Sequence, residues 1–189
     1  MQGRNTIEEV LCLSAQRGYM VFYRNREESN VLSDIVVAHP TSIAMIGTWS
    51  YVLIMDNTYK TNKYNVPLLE AVGMTPTGKN FIVATTFMCN EQATTYRRVL
   101  QQIKHLYVTY TMSTGYSSIL NDGESIMILT DRESKLMPGL DTSSAAFWIE
   151  TTNRAERKHS VLKLWLSMCH GDLDTVFLNI DSLIEGQIA

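Results

Sequence analysis

Residues 51–55, Tyr-Val-Leu-Ile-Met, form an uninterrupted apolar run that stops at Asp56. A strand that alternates apolar and polar side chains needs cover on one face, whereas a strand apolar at every position needs it on both. The chain must therefore place layers on either side of a sheet, which points to an α/β fold. Its 189 residues, 45% of them hydrophobic, suffice for one core of that kind. Extended back to Ser42, the apolar stretch is broken by Gly47, Thr48 and Ser50 and falls short of the roughly 18–20 residues a membrane span needs. No membrane association is expected.

The segments around this run can be read by their periods. Ile7, Val10, Leu11 and Ser14 recur at helical spacing after Thr6, with Glu9 placed as a capping-box partner, and Gly18 ends the helix. Residues 19–23 and 34–38 are strand-like, and Pro40 suits the first turn of a helix toward Trp49. After the run at 51–55 and a polar turn at 57–62 come two more strand candidates, 66–72 and 81–87. The segment between them, Gly73-Met-Thr-Pro-Thr-Gly78, favours a hairpin. From Glu91 the period lengthens, with Tyr96, Val99, Leu100, Ile103, Leu106 and Tyr107 on one helical face. A loop at 113–123 leads to a second short buried strand at 126–129, which ends at Thr130-Asp131. The order is β-β-β-α-β, with a carboxylate at the end of its first and its fourth strand. Residues 140–148 fit a ragged strand or a loop equally well. Two apolar helical stripes follow, Ala155, Leu162, Trp165 and Leu166, then Val176, Phe177, Ile180, Leu183 and Ile184.

Charge and cysteine usage narrow the function classes. A net charge of -3 does not advertise nucleic acid. Its distribution is uneven, because residues 151–170 hold Arg154, Arg157, Lys158 and Lys163 against Glu156, and residues 171–189 carry four carboxylates and no Lys or Arg. Cys12, Cys89 and Cys169 are scattered and odd in number, and the first ten residues lack the apolar segment of a signal peptide. A reducing, intracellular setting is expected.

Asp56, Asp131 and Glu156 are the candidates for chemistry. If the first and fourth strands lie side by side, their ends bring two carboxylates together. Oxygen ligands from two Asp and one Glu suit magnesium or manganese, and a pair of such ions can drive phosphoryl transfer on a nucleic acid backbone. The same residues also have plain structural uses, since Asp after a strand caps a turn and Glu near a helix start is favoured by the dipole. Lys60 and Lys63, beside Asp56, and Arg154, Arg157 and Lys158, around Glu156, could meet phosphates or simply face solvent.

The motifs weigh on this choice. Asp56 is followed by Tyr59, Thr61 and Asn62 in a Tyr-x-Thr-Asn pattern, then by a Pro-Leu-Leu strand, the Gly73 hairpin, an Asn-Glu-x-x-x-x-Tyr helix start (Asn90, Glu91, Tyr96) and the Thr-Asp of the fourth strand. In these features the chain resembles the catalytic domain of Mutator-like (MULE) transposases and their plant relatives of the far-red-impaired-response type, from about Tyr19 onward. The resemblance implies a ribonuclease H-like mixed sheet in β-β-β-α-β-α order with flanking helices, and a metal-binding triad at Asp56, Asp131 and Glu156. Mg2+ or Mn2+ is the implied cofactor, DNA the implied partner and the nucleus the implied location. The chain departs from the family in three ways. Glu156 follows Asp131 by only 25 positions, so the long helical insertion usual there is missing. Arg98 stands where an aromatic usually packs, and no Cys/His motif able to hold zinc is found.

The expectation is thus a shortened transposase core, with residues 1–50 as an N-terminal helix and strand segment and residues 51–189 as the core, truncated between 138 and 151. DNA binding is expected to be weak or to depend on other domains. The alternative is a domesticated, non-catalytic nuclear module that associates with DNA or protein. Apolar faces at residues 162–166 and 176–184, deprived of packing partners, would offer a route to self-association.

Overall fold

The computed structural model describes residues 6–25, 32–49, 52–58, 61–114, 127–130, 148–150 and 171–188. Its elements run α1 (Thr6–Gln16), β1 (Met20–Asn25), β2 (Leu32–Ala38), α2 (Pro40–Trp49), β3 (Val52–Thr58), β4 (Leu68–Met74), β5 (Asn80–Met88), α3 (Ala93–Thr114), β6 (Met127–Thr130), β7 (Trp148–Glu150) and α4 (Leu173–Ile188). All seven described strands join one sheet in the order β1-β2-β5-β4-β3-β6-β7. The five strands from β1 to β3 pair antiparallel, and β6 and β7 add on in parallel to β3.

Helices cover both faces, as the apolar run at 51–55 requires. On one side α2 and α3 pack over Val36, Leu53, Met55, Leu69, Ala71 and Phe81, with Tyr96, Val99, Ile103 and Leu106 supplying the face of α3. On the other, α1 and α4 cover Ile35, Val37, Leu68, Ile82 and Phe87, with Val10, Val176, Phe177, Ile180 and Ile184 pointing in. Burial on both faces leaves little room for exposed apolar surface. Among the described residues only Tyr23, Tyr64 and Met74 are large hydrophobics on the outside.

Local chemistry sets the element ends. Gly18 adopts φ +70, and the amides of Gly18 and Tyr19 bond back to the carbonyls of Ala15 and Ser14 at 3.2 and 2.9 Å. This pair of bonds closes α1 with a left-handed residue that glycine adopts without strain. The carbonyl end is then tied across the fold, because Tyr19 Oη donates to Asp181 Oδ1 of α4 at 2.9 Å and Arg17 pairs with the same carboxylate. Burial, together with that hydrogen bond, pushes the Tyr19 phenol above its ordinary pKa. His39 opens α2, its Nδ1 accepting from the Thr41 amide at 3.2 Å. Asn90 opens α3 by accepting from the Gln92 amide and the Thr95 hydroxyl at 3.1 and 2.8 Å.

Several sequence expectations shift. β3 does not stop at Asp56 but runs on to Thr58, because Asn57 and Thr58 keep pairing with Leu69 and Leu68 of β4. The strand expected at 66–72 starts at Leu68, since residues 61–67 form a loop organised by Asn62. Of the stretch at 140–148, read as a strand or a loop, Trp148 opens the strand β7, while residues 140–147 and the helical stripe expected at 155–166 lie outside the described residues. The stripe at 176–184 is not a face without a partner: Val176 and Phe177 are fully buried against α1 and the sheet. That removes the packing argument for self-association through this helix, while residues 162–166 lie outside the described residues. β1 and β2, from the N-terminal segment, extend the same sheet through the pairing of β2 with β5. No described helix is long and apolar enough to cross a membrane.

Candidate functional site

Side chains alternate across a strand, so the face that Asp56 occupies follows from its neighbours. Leu53 and Met55 belong to the core under α2 and α3. Asn57 faces the same way, its Nδ2 donating to Glu91 Oε1 at 3.1 Å and to the hydroxyl of Tyr96. Asp56 and Thr58 therefore project to the opposite face, the side covered by α1 and α4. Asp56 is 5% exposed there. The Asn-Glu-x-x-x-x-Tyr pattern acquires a physical role from these contacts, for Glu91 and Tyr96 hold β3 from behind at the residue after Asp56.

The Tyr-x-Thr-Asn pattern acquires one too. Asn62 is buried, and its Oδ1 accepts from the amides of Tyr64 and Val66, both at 3.1 Å, while its Nδ2 donates to the Val66 carbonyl at 2.8 Å. Asn65 takes a positive φ of 53 inside this turn. The loop delivers Pro67, whose carbonyl accepts from the Met88 amide at 3.0 Å, and so fixes where β4 begins. With β4 fixed, Glu70 falls directly opposite Asp56.

Glu70 is the residue that sequence reasoning missed. It is completely buried in a strand, Leu-Leu-Glu-Ala-Val-Gly, that is otherwise apolar up to its glycine, and neither of its carboxylate oxygens has a hydrogen-bond partner among the described residues. Burial, and then the nearby Asp56 carboxylate, push its pKa up from 4.5 to about 8. The signal was present in the sequence as a lone carboxylate among apolar strand residues, a placement that needs a reason. In the next strand Thr85 pairs with Glu70, and its Oγ1 is likewise buried and unpartnered, as is that of Thr58. Asp56, Glu70 and Thr85 thus form one transverse row across β3, β4 and β5, framed by Leu68 and Phe87 on one side and Val72 and Ile82 on the other. All the polar groups in it are oxygens. Hard oxygen donors of this kind, those of Glu70 and Thr85 without a hydrogen-bond partner among the described residues, fit a magnesium- or manganese-sized cation.

The other expected site residues divide sharply. β6 pairs in parallel with β3 so that Thr130 lies opposite Met55. These are the residues immediately before Asp131 and Asp56 in the sequence. Glu150, at the end of β7, lies in turn opposite Thr130. Asp131 itself, with Glu156, Lys60, Arg154, Arg157 and Lys158, lies outside the described residues. Lys63 is described, and its charge is already engaged: it is half exposed, pairs with Asp172 and sits over the Tyr64 ring. That pairing raises the Lys63 pKa and lowers that of Asp172. Tyr64 Oη also donates to Asp172, at 2.9 Å, so Lys63 and Tyr64 together anchor the loop at 61–67 to the start of α4. Lys63 thus has a structural role in holding this loop, beside the phosphate contact expected of it. Among the described residues no group of three or more metal-ligating side chains is assembled.

Arg98, noted as a cation where an aromatic usually packs, also finds a partner. Asp34 is buried on β2, with Arg98 Nη1 at 3.5 Å and Arg24 Nη2 at 3.4 Å from its Oδ2. Ser33 Oγ donates to the same oxygen at 2.9 Å, and the Cys89 amide donates to Oδ1 at 3.3 Å. A groove of about 340 Å³ lies over this cluster, between β1 and α3.

Comparison with known proteins adds one match to this geometry. Residues 52–143 match the family model of the MULE transposase domain, a span that takes in β3 to β6 and the positions of Asp56, Glu70 and Asp131. No curated protein and no solved structure matches the chain.

Proposed function

We propose that the chain is the catalytic core of a MULE-type transposase, acting on DNA by divalent-metal-dependent phosphoryl transfer. The observation that carries this reading is the parallel register of β3 and β6, which sets Met55 against Thr130, each one residue before an aspartate. The matched MULE domain spans both positions. Further support comes from the strand order β5-β4-β3-β6-β7, three antiparallel strands followed by two parallel ones, which is compatible with a ribonuclease H-like sheet.

In this reading Asp56, Asp131 and Glu156 hold Mg2+ or Mn2+, and Lys60, Arg154, Arg157 and Lys158 receive the DNA backbone. A bound divalent cation supplies Lewis-acid chemistry at a phosphodiester, activating a water or hydroxyl and stabilising the leaving oxygen. The chain's own contribution is to hold the carboxylates still. Asn57, Glu91 and Tyr96 brace β3 behind Asp56, and the Asn62 loop fixes β4 beside it. Hydrophobic neighbours on the α1 and α4 side keep bulk water from the row of oxygens. A nuclear location is what the resemblance to the plant relatives implies and belongs to the same proposal.

The test is cleavage of labelled duplex DNA by the purified chain with Mg2+ or Mn2+. Asp56→Asn, Asp131→Asn and Glu156→Gln are each expected to abolish it while leaving the far-UV circular dichroism unchanged. A wild-type chain that cleaves nothing with either metal overturns the catalytic reading and leaves the domesticated, non-catalytic module.

A further inference from the structure

Glu70 has no place in the triad just proposed, and its situation is costly without a further ligand. A carboxylate taken out of water needs hydrogen bonds or a counter-charge, and buried polar atoms in folded proteins nearly always have a partner. Both oxygens of Glu70 lack one, and Thr85 Oγ1 beside it and Thr58 Oγ1 on the same face lack one too. Packing offers no reason for the carboxylate, since the flanking positions on this face of β4, Leu68 and Val72, are apolar and buried. The nearest formal charge described is Asp56, of the same sign, directly across the strand pair. Opposed like charges destabilise a strand pair. One kind of ligand turns each of these liabilities into a contact: a small, hard cation that takes oxygen from both carboxylates, with neutral hydroxyl oxygens beside it.

We infer that Glu70 is a ligand of the divalent cation at Asp56, the two side chains together forming the buried floor of the metal site across β3 and β4. The inference deepens the metal-dependent reading above and rests on it. It makes β4, whose start is fixed by the Asn62 loop, part of the metal site and not merely a neighbour of it. It also gives the oxygens of Asp56 and Glu70 a common support, the antiparallel pair of β3 and β4.

The test is calorimetric titration of Mn2+ into the full chain after stripping with chelator, comparing wild type with Glu70→Gln and Asp56→Asn. Glu70→Gln keeps the size and shape of the side chain and removes its charge, and it is expected to weaken Mn2+ binding at least tenfold. Glu70→Asp, which keeps the charge but withdraws it by one methylene, provides a second measurement should the glutamine variant fail to fold, and it is expected to weaken binding as well. Wild-type affinity in whichever of the two variants folds overturns the inference. If Asp56→Asn abolishes binding in that same experiment, the metal-dependent reading survives. A wild-type chain that takes up no Mn2+ overturns both.

Discussion

Replacing Glu70 by glutamine should make the metal-free protein more stable at neutral and alkaline pH, and the size of the gain should depend on pH in a defined way. In an unfolded chain the carboxyl ionises near 4.5, and in the folded protein it does so near 8. Below about pH 4.5 both states keep the proton, and the buried group adds no pH-dependent cost. Between the two values the unfolded chain releases its proton and the folded one retains it, so stability falls as pH rises. Above about 8 both states are ionised and the loss is complete. Each pH unit of displacement corresponds to about 1.4 kcal/mol, so the full loss is on the order of 5 kcal/mol, a large share of the stability of a typical domain. Glutamine has no proton to lose, and the titrating groups remote from Glu70 cancel in the comparison. Urea unfolding followed by circular dichroism in chelator, from pH 5 to 8.5, reads the difference directly. The gap between Glu70→Gln and wild type should widen steadily across that range by several kcal/mol. A gap that stays constant within about 1 kcal/mol would refute the reasoning, because it would mean that Glu70 ionises in the folded protein much as it does in the unfolded chain.

Two further substitutions test the frame around the site. A methyl group added at Gly73 would sit 2.4 Å from Cζ of Phe81, so Gly73→Ala should lower stability by about 1–3 kcal/mol, and Phe81→Leu in the same chain should recover part of the loss. Phe177→Ala removes a fully buried ring that stacks edge-on against Tyr19 at 5.0 Å and should cost about 3–5 kcal/mol in urea unfolding; a loss below about 1 kcal/mol would show that α4 is not docked on the sheet in solution.

Much of this architecture was legible because its signals are local. The periods of residues 93–106 and 176–184 mark the buried faces of α3 and α4, and Gly18 marks the end of α1, since a helix stripe and a left-handed cap each depend on a few adjacent residues. The continuous run before Asp56 correctly called for cover on both sides of the sheet. What the sequence concealed depends on register. Asp56 reads as a strand end because Asn57 and Thr58 are polar, yet both stay in β3: the Nδ2 of Asn57 donates to Glu91 and Tyr96, 34 and 39 positions away. Glu70 becomes a neighbour of Asp56 only once the Asn62 loop has fixed the alignment of β4 with β3. The pairing of Lys63 with Asp172 was hidden because the two lie more than a hundred positions apart. The Asp34 cluster was missed for the same reason, with Arg98 64 residues distant in sequence.

The docking of α4 on α1 and the sheet also governs the order in which the protein can mature on the ribosome. The meander from β3 to β5 and the helix that follows it are built from short-range contacts and can form early. The opposite face, where Leu68, Ile82 and Phe87 lie, has only α1 to cover it until residues 173–188 have been synthesised and have left the exit tunnel. For most of translation the nascent chain therefore exposes a half-finished apolar surface next to the row of Asp56, Glu70 and Thr85. Closure of α4 over the sheet is then the step that completes the apolar cover beside those oxygens.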